Sequence, residues 1–150
     1  MNTKARWSVL TILSAWVFAG CVNTTEVRYQ ISEPATAGAR VASEDRESVR
    51  DAVGAVASEL KLKDFTASSL VPETIVYFQQ ENSRTPLKII AFADGSTIFV
   101  DLIQVPGGAG ETLLYRRARD LLNAELRSRF GPRTGLVSIR ELQNNAPVQH

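Results

Sequence analysis

The dipeptide Asp94-Gly95 stands between two apolar runs, and it constrains the fold more than any other feature of the sequence. Residues 87–93 precede it, and residues 96–105 follow it. Asp-Gly in this setting is typical of a β-hairpin with a two-residue turn, because both central positions of a type I′ turn need a positive φ. The middle of the chain is therefore predicted to be antiparallel sheet.

A turn at Asp94-Gly95 also predicts the register of the hairpin. The apolar face pairs Ala93 with Ser96, Ala91 with Ile98, Ile89 with Val100 and Leu87 with Leu102. The other face pairs Phe92 with Thr97, Ile90 with Phe99 and Lys88 with Asp101. An opposite-charge pair directly across two strands is stabilising, and the Lys88–Asp101 pair therefore favours this register.

Two amphipathic helices are predicted on either side of the strands. The first begins at Ser43, a good N-cap, and its apolar stripe consists of Val49, Val53, Val56 and Leu60. The second runs from about Glu111 to Phe130, and Gly131 is placed to end it. Its apolar side gathers Leu114, Ala118, Leu121, Leu122 and Leu126, with Tyr115 and Phe130 at the border. A third strand, at residues 74–80, completes the order α-β-β-β-α.

This order predicts an α+β fold: a two-layer sandwich in which two helices pack on one face of an antiparallel β-meander. The meander has about three strands, and short segments at residues 27–31 and 136–142 would raise the number to four or five. The single domain is predicted to span residues 43–142, followed by a frayed tail at residues 143–150. Chains of this length commonly form one domain.

The second face of the predicted sheet is too apolar for simple exposure to solvent. It carries Ile90, Phe92, Phe99 and Ile103. One interpretation is that the segment around Val27, Tyr29 and Ile31, or the end of the chain, covers this face. The other is that the face is an exposed patch that binds a partner, as contiguous apolar patches often do.

The N-terminus has the pattern of a secretory signal peptide. Lys4 and Arg6 precede the uncharged, mostly apolar residues 7–18, which are too few to span a bilayer as a helix. Phe18-Ala19-Gly20-Cys21 then resembles the lipobox of bacterial lipoproteins, with Phe18 in place of the usual Leu. The resemblance implies that residues 1–20 are removed and that Cys21 is lipidated.

Membership of that family implies a membrane anchor of several acyl chains on Cys21, and multiple chains bind stably. Residues 21–42 are then predicted to be the lipidated N-terminus and a tether. Lipoproteins retained in the inner membrane commonly have Asp after the Cys, and Val22 stands here instead. This favours the outer membrane, with the domain facing the periplasm, over the inner membrane or a Gram-positive cell membrane.

Composition excludes several kinds of function. The formal net charge is +1, which does not favour binding to nucleic acid. The single Cys and the single His, the terminal His150, exclude Cys/His zinc sites and make a nucleophile–His arrangement implausible. Gly107, Gly108 and Gly110 precede a helix but lack the Lys-Ser/Thr of a phosphate-binding loop. No enzymatic activity, cofactor or metal is expected.

Six arginines in and after the second helix form the remaining feature. Arg116 and Arg127 are predicted on its exposed side, where they are either a solvated face or a surface for an anionic partner. Together with Ile90, Phe92 and Phe99 they are the candidate partner surface. The sequence thus predicts a non-enzymatic envelope lipoprotein, a scaffold or accessory subunit bound to an envelope protein. The alternative is a tethered periplasmic ligand-binding or enzyme-inhibitor module.

Overall fold

A computed structural model describes residues 25–32, 41–104 and 111–137 of the chain. Within these ranges the elements are β1 (Thr25–Ile31), α1 (Ser43–Glu59), β2 (Lys63–Asp64), β3 (Thr74–Gln79), β4 (Leu87–Asp94), β5 (Thr97–Gln104), α2 (Leu113–Phe130) and β6 (Thr134–Val137). The predicted signal peptide, Cys21 and the tail at residues 143–150 lie outside the described residues.

The strands form one antiparallel sheet in the order β2-β3-β4-β5-β1-β6. The two helices contact each other, and they pack on the same side of the sheet, α1 on β3 and β4 and α2 on β5 and β6. The α+β class and the two helices on one face are therefore confirmed. The predicted strand number was too low, because the described part of the chain contains six strands, and β1 and β6 extend the β3-β4-β5 meander.

The first strand lies in the segment that the sequence predicted to be a tether. β1 pairs with β5 along its whole length and with β6 from Arg28 to Ile31, and it is therefore an inner strand. Tyr29 and Ile31 are buried against the helices. A strand paired on both sides belongs to the folded domain, and the sheet therefore begins well before Ser43.

The hairpin register differs from the prediction by two residues. Asp94 pairs with Thr97, and the turn is Gly95-Ser96 rather than Asp94-Gly95. Only Gly95 of the two has a positive φ, +59°, and a glycine with positive φ at the first central position is the arrangement of a type II′ turn. Ala91 accordingly faces Val100, and Lys88 faces Ile103. The predicted Lys88–Asp101 pair is wrong.

The core fills the space between the sheet and the two helices. Both helices bury an apolar stripe: Val49, Ala52, Val53, Val56 and Ala57 from α1, and Tyr115, Ala118, Leu122, Leu126 and Phe130 from α2. Ile89, Ala91, Val100 and Leu102 face them from the inner strands. Each fully buried Leu, Ile or Val contributes about 1.5–3 kcal/mol of transfer free energy, and this packing is therefore the main stabilising contact.

Both helix starts lie slightly off the predicted positions. The N-cap of α1 is Ala42, and Ser43 is its first helical residue. α2 begins at Leu113 because Thr112 is its N-cap, with the Thr112 hydroxyl accepting a hydrogen bond from the Tyr115 N–H. The buried Gln104 side chain fixes this start, since its Oε1 accepts hydrogen bonds from the Thr112 N–H and hydroxyl at 3.1 and 3.0 Å.

Two buried tyrosines join the sheet to α2. The Tyr29 hydroxyl donates a hydrogen bond to the Arg119 carbonyl oxygen at 3.0 Å, and burial raises the pKa of Tyr29 to about 12. The Tyr115 hydroxyl is also buried and finds no hydrogen-bond partner among the described residues. Burial raises the pKa of Tyr115, and the neighbouring Glu111 carboxylate adds to the effect. Tyr115 thus lies in the centre of the α2 stripe and not at its border.

Candidate functional site

The sheet surface opposite the helices, which we call the open face, is the candidate site. Because side chains alternate along a strand, the strand register determines its members. They are Glu26, Arg28 and Gln30 from β1, Phe99, Asp101 and Ile103 from β5, Lys88, Ile90 and Phe92 from β4, and Tyr77 and Gln79 from β3. The helices α1 and α2 both pack on the other side of the sheet.

The predicted apolar residues come together on the open face. Phe92 and Phe99 are directly opposite each other on β4 and β5, with ring centroids 5.6 Å apart and planes tilted by 33°. Ile90 on β4 lies directly opposite Asp101 on β5, two residues along the strands from the Phe92–Phe99 pair. All three apolar side chains are half-buried. The first strand does not cover them, because β1 lies beside β5 within the sheet. The end of the chain, the other predicted cover, lies outside the described residues.

An ion pair occupies the centre of the open face. Arg28 donates from Nε to Asp101 Oδ1 and from Nη2 to Asp101 Oδ2, both at 2.7 Å. Only 6% of the Asp101 side chain and 24% of the Arg28 side chain are exposed. A bidentate guanidinium–carboxylate pair fixes both the distance and the orientation of the two groups. The pair is therefore a rigid polar centre beside the apolar residues Ile90, Phe92 and Phe99.

The guanidinium of Arg28 lies over both phenylalanine rings. Its central carbon lies 5.1 Å from the centroid of the Phe99 ring and 5.5 Å from that of Phe92. At such distances the ring quadrupoles attract a cation, by about 0.5–2 kcal/mol for each contact. The rings and Asp101 together hold the Arg28 side chain in one position, although β1 and β5 are 73 residues apart at this pair.

The charged side chains around the Arg28–Asp101 pair shift one another's pKa values. Hydrogen bonding to Asp101 raises the pKa of Arg28 further above its ordinary value, and the guanidinium stays charged. Burial raises the pKa of Glu26, and the Asp101 carboxylate raises it further, while Arg28 lowers it. The open face thus concentrates two carboxylates around one guanidinium.

Four of the six arginines in and just after α2 are paired with acidic residues. Arg117 contacts Glu59 at 2.6 Å, and Arg119 contacts Glu111 at 3.0 Å. Arg129 contacts Glu125, and Arg133 contacts Asp45. The predicted partner residues Arg116 and Arg127 are both exposed. Arg127 donates to the Asn123 side chain at 3.0 Å. The structure does not bring this pair together with Ile90, Phe92 and Phe99, because α2 lies on the other side of the sheet.

Sequence reasoning missed Arg28 and Asp101 as members of the candidate site. The wrong hairpin register pairs Asp101 with Lys88, and Arg28 falls within the segment predicted to be a tether. One signal was present: Asp101 is the only charged residue in the apolar run 96–105, and such a residue in a strand needs a partner. The strand pattern of residues 26–31 offered a basic residue, but nothing in the sequence placed that strand beside β5.

The open face combines one buried ion pair with aromatic and aliphatic side chains. Among residues 25–32, 41–104 and 111–137, no group of three or more His, Cys, Asp or Glu side chains could hold a metal ion. No helix in the same ranges is long and apolar enough to cross a membrane. The chain matches no family model, and neither a curated protein nor a solved structure matches it significantly.

Proposed function

We propose that this chain is a lipid-anchored lipoprotein of the bacterial envelope that binds a protein partner through its open face and catalyses no reaction. Its anchor is the lipid on Cys21, and its place is the outer membrane, with the domain in the periplasm. In this role it is a scaffold or accessory subunit of an envelope complex. The lipobox-like residues 18–21 support the anchor, and the open face supports the partner.

The observation that carries the proposal is the half-buried apolar surface of Ile90, Phe92 and Phe99 around a fixed guanidinium. Both α1 and α2 pack on the opposite face of the same sheet, where the inner strands bury Tyr29, Ile89 and Val100. Aromatic residues and arginine are the side chains most enriched where protein interfaces have their strongest contacts. Inner strands also hold these side chains rigidly, which lowers the entropy lost on binding.

The contacts of Arg28 indicate the chemistry of the partner surface. A guanidinium has five N–H donors, and contacts with Asp101 use two of them. The other donors suit a carbonyl or carboxylate oxygen of a partner whose remaining contact surface is apolar. A sheet surface favours a protein over a small molecule, since small-molecule sites are concave and bury most of their ligand. This favours the scaffold over the ligand-binding module.

The test is crosslinking of the lipidated protein in membranes, with two pairs of substitutions compared. Ile90→Thr/Phe92→Thr removes apolar surface while keeping residues that suit a strand, and it should reduce a stoichiometric crosslinked complex at least tenfold. Arg116→Ala/Arg127→Ala on α2 is the matched control, and it should leave the complex intact. Circular dichroism melting should show that both variants are folded.

Other outcomes identify the alternatives. Loss of the complex in the arginine variant alone, together with weaker dependence on salt, would make α2 the contact surface. A small molecule that co-purifies with the wild type and not with Ile90→Thr/Phe92→Thr would favour the tethered ligand-binding module.

The anchor has its own test. Cys21→Ser should leave the protein unprocessed in the inner membrane or release it in soluble form, and mass spectrometry of the wild type should find acyl chains on Cys21. Fully processed Cys21→Ser protein retained in the outer membrane would refute the lipid anchor.

A further inference from the structure

We infer that the domain contacts the lipid surface directly, through the end of the sheet at which β1 begins. The inference rests on the proposed lipidation of Cys21. Thr25 is already paired with Gln104 in the sheet. Cys21 and Thr25 are four residues apart in the sequence, and a chain of four residues spans at most about 14 Å. The anchor therefore cannot hold the domain far from the bilayer.

The strand register shows which residues share this end of the domain, which we call the proximal end. Gln104 pairs with Thr25 and also with Leu87, the first residue of β4. The side chain of Gln104 in turn binds Thr112, which places Leu113 and the start of α2 there. The β3–β4 turn, with Arg84, lies beside Leu87 because the Gln80 N–H donates to the Leu87 carbonyl oxygen.

The proximal end has side chains that suit a lipid surface. Leu113, in the first turn of α2, is 78% exposed, and exposure of an apolar side chain to water is unfavourable. Arg84 is exposed in the β3–β4 turn, and Lys61 is exposed where the chain leaves α1 for β2. Glu81, in the same turn as Arg84, is paired with Lys63 of β2, so Arg84 and Lys61 are the basic side chains that bear on the orientation. Basic side chains near a bilayer are attracted to anionic headgroups, and apolar ones enter the headgroup boundary.

The opposite end, which we call the distal end, has a different character. It contains the hairpin turn at Gly95 and, through the hydrogen bond from the Ala93 N–H to the Glu73 carbonyl oxygen, the loop that precedes β3. Glu73 and Asp94 are both exposed there, and Glu73 is paired with Arg46 at 2.7 Å, which leaves Asp94 as the acidic side chain that bears on the orientation. Leu70 in this loop is 98% exposed. Its neighbours are held by the Ser69–Thr74 hydroxyl pair, 2.7 Å apart. Acidic side chains favour a position away from anionic lipid.

This orientation has a consequence for the open face. Inner strands β1, β4 and β5 then run from the proximal end, at the bilayer, to the distal end. Phe92 and Phe99 accordingly face sideways, parallel to the membrane plane rather than towards it.

Two exposed leucines at opposite ends allow a matched test. Cys21 is the only cysteine, and its thiol is blocked once it is lipidated. Leu113→Cys and Leu70→Cys therefore each offer a single reactive thiol for a fluorophore. The lipidated, labelled proteins are reconstituted into vesicles of phosphatidylethanolamine and phosphatidylglycerol that contain headgroup spin labels. Quenching at position 113 should exceed quenching at position 70 several-fold.

Equal quenching at the two positions, or stronger quenching at position 70, would overturn the inference. The lipid anchor is read separately, from the mass of the N-terminal peptide and from the lack of reaction of wild-type Cys21 with the fluorophore. A lipidated protein with equal quenching overturns only the orientation. A chain that proves unlipidated overturns the anchor and the orientation together.

Discussion

The Arg28–Asp101 pair should respond unequally to loss of its two members. Arg28→Met keeps a side chain that can pack against Phe92 and Phe99, but it leaves the Asp101 carboxylate, 6% exposed, without its counter-charge. Removing one partner of a buried ion pair costs about 3–5 kcal/mol. Since Arg28 is 24% exposed and water can reach the site, we expect the low end, about 3 kcal/mol.

The reverse change should cost less. Asp101→Leu leaves a guanidinium that is still in contact with two rings and partly with water, and a lost hydrogen bond to a charged group is worth about 1.5–3 kcal/mol. The burial of leucine offsets part of this loss. The double variant Arg28→Met/Asp101→Leu leaves no unpaired charge, and apolar replacements of buried ion pairs are often neutral. It should therefore lie within about 1 kcal/mol of the wild type.

The measurement is the free energy of unfolding in urea, followed by circular dichroism. Trp7 and Trp16 are the only tryptophans and both precede Cys21, so a protein processed there has no tryptophan signal. For a domain of this size a loss of 3 kcal/mol lowers Tm by about 10–15 °C. Lys63→Met breaks the exposed Lys63–Glu81 pair and is the control, with an expected cost below about 1 kcal/mol. Additive costs of the two single substitutions in the double variant would refute the reasoning.

Three further predictions concern stability. Tyr29→Phe should cost about 0.5–1.5 kcal/mol of stability because it loses the hydrogen bond to the Arg119 carbonyl oxygen, whereas Tyr115→Phe should be neutral or stabilising because it removes an unpaired buried hydroxyl. Equal losses for the two variants in urea unfolding would contradict this difference. Gly95→Val should cost about 1–3 kcal/mol of stability because the φ of Gly95 is +59°, and an unchanged Tm would place the turn elsewhere. Gly54→Ala should gain about 0.4–1 kcal/mol, because the added Cβ lies in free space inside α1. The pKa of Glu26 is raised in the folded state, so the folded state binds this proton more readily than the unfolded chain does, and the free energy of unfolding should fall as pH rises through and above the ordinary value of 4.5. Glu26→Gln should flatten this slope, and a variant with the pH profile of the wild type would refute the prediction.

The sequence by itself determined which side chains share a face. The hairpin register was wrong by two residues, and yet Ile89, Ala91 and Val100 face the helices as predicted. The reason is that side chains alternate with a period of two, so that a slip by two residues changes the partners and preserves the faces. The stripe of α1 is equally local, since Val49, Val53 and Val56 recur at helical spacing.

Only the tertiary structure decided what those faces meet. The position of the turn depended on which central residue adopts a positive φ, and Asp-Gly and Gly-Ser are both compatible with a hairpin. The site depended on β1 pairing with β5, which brings Arg28 to Asp101 from 73 residues away. A short alternating segment such as residues 26–31 specifies a strand but no neighbour. Its neighbour is selected by tertiary packing, such as that of the buried Tyr29 under α2, and not by anything local in the chain.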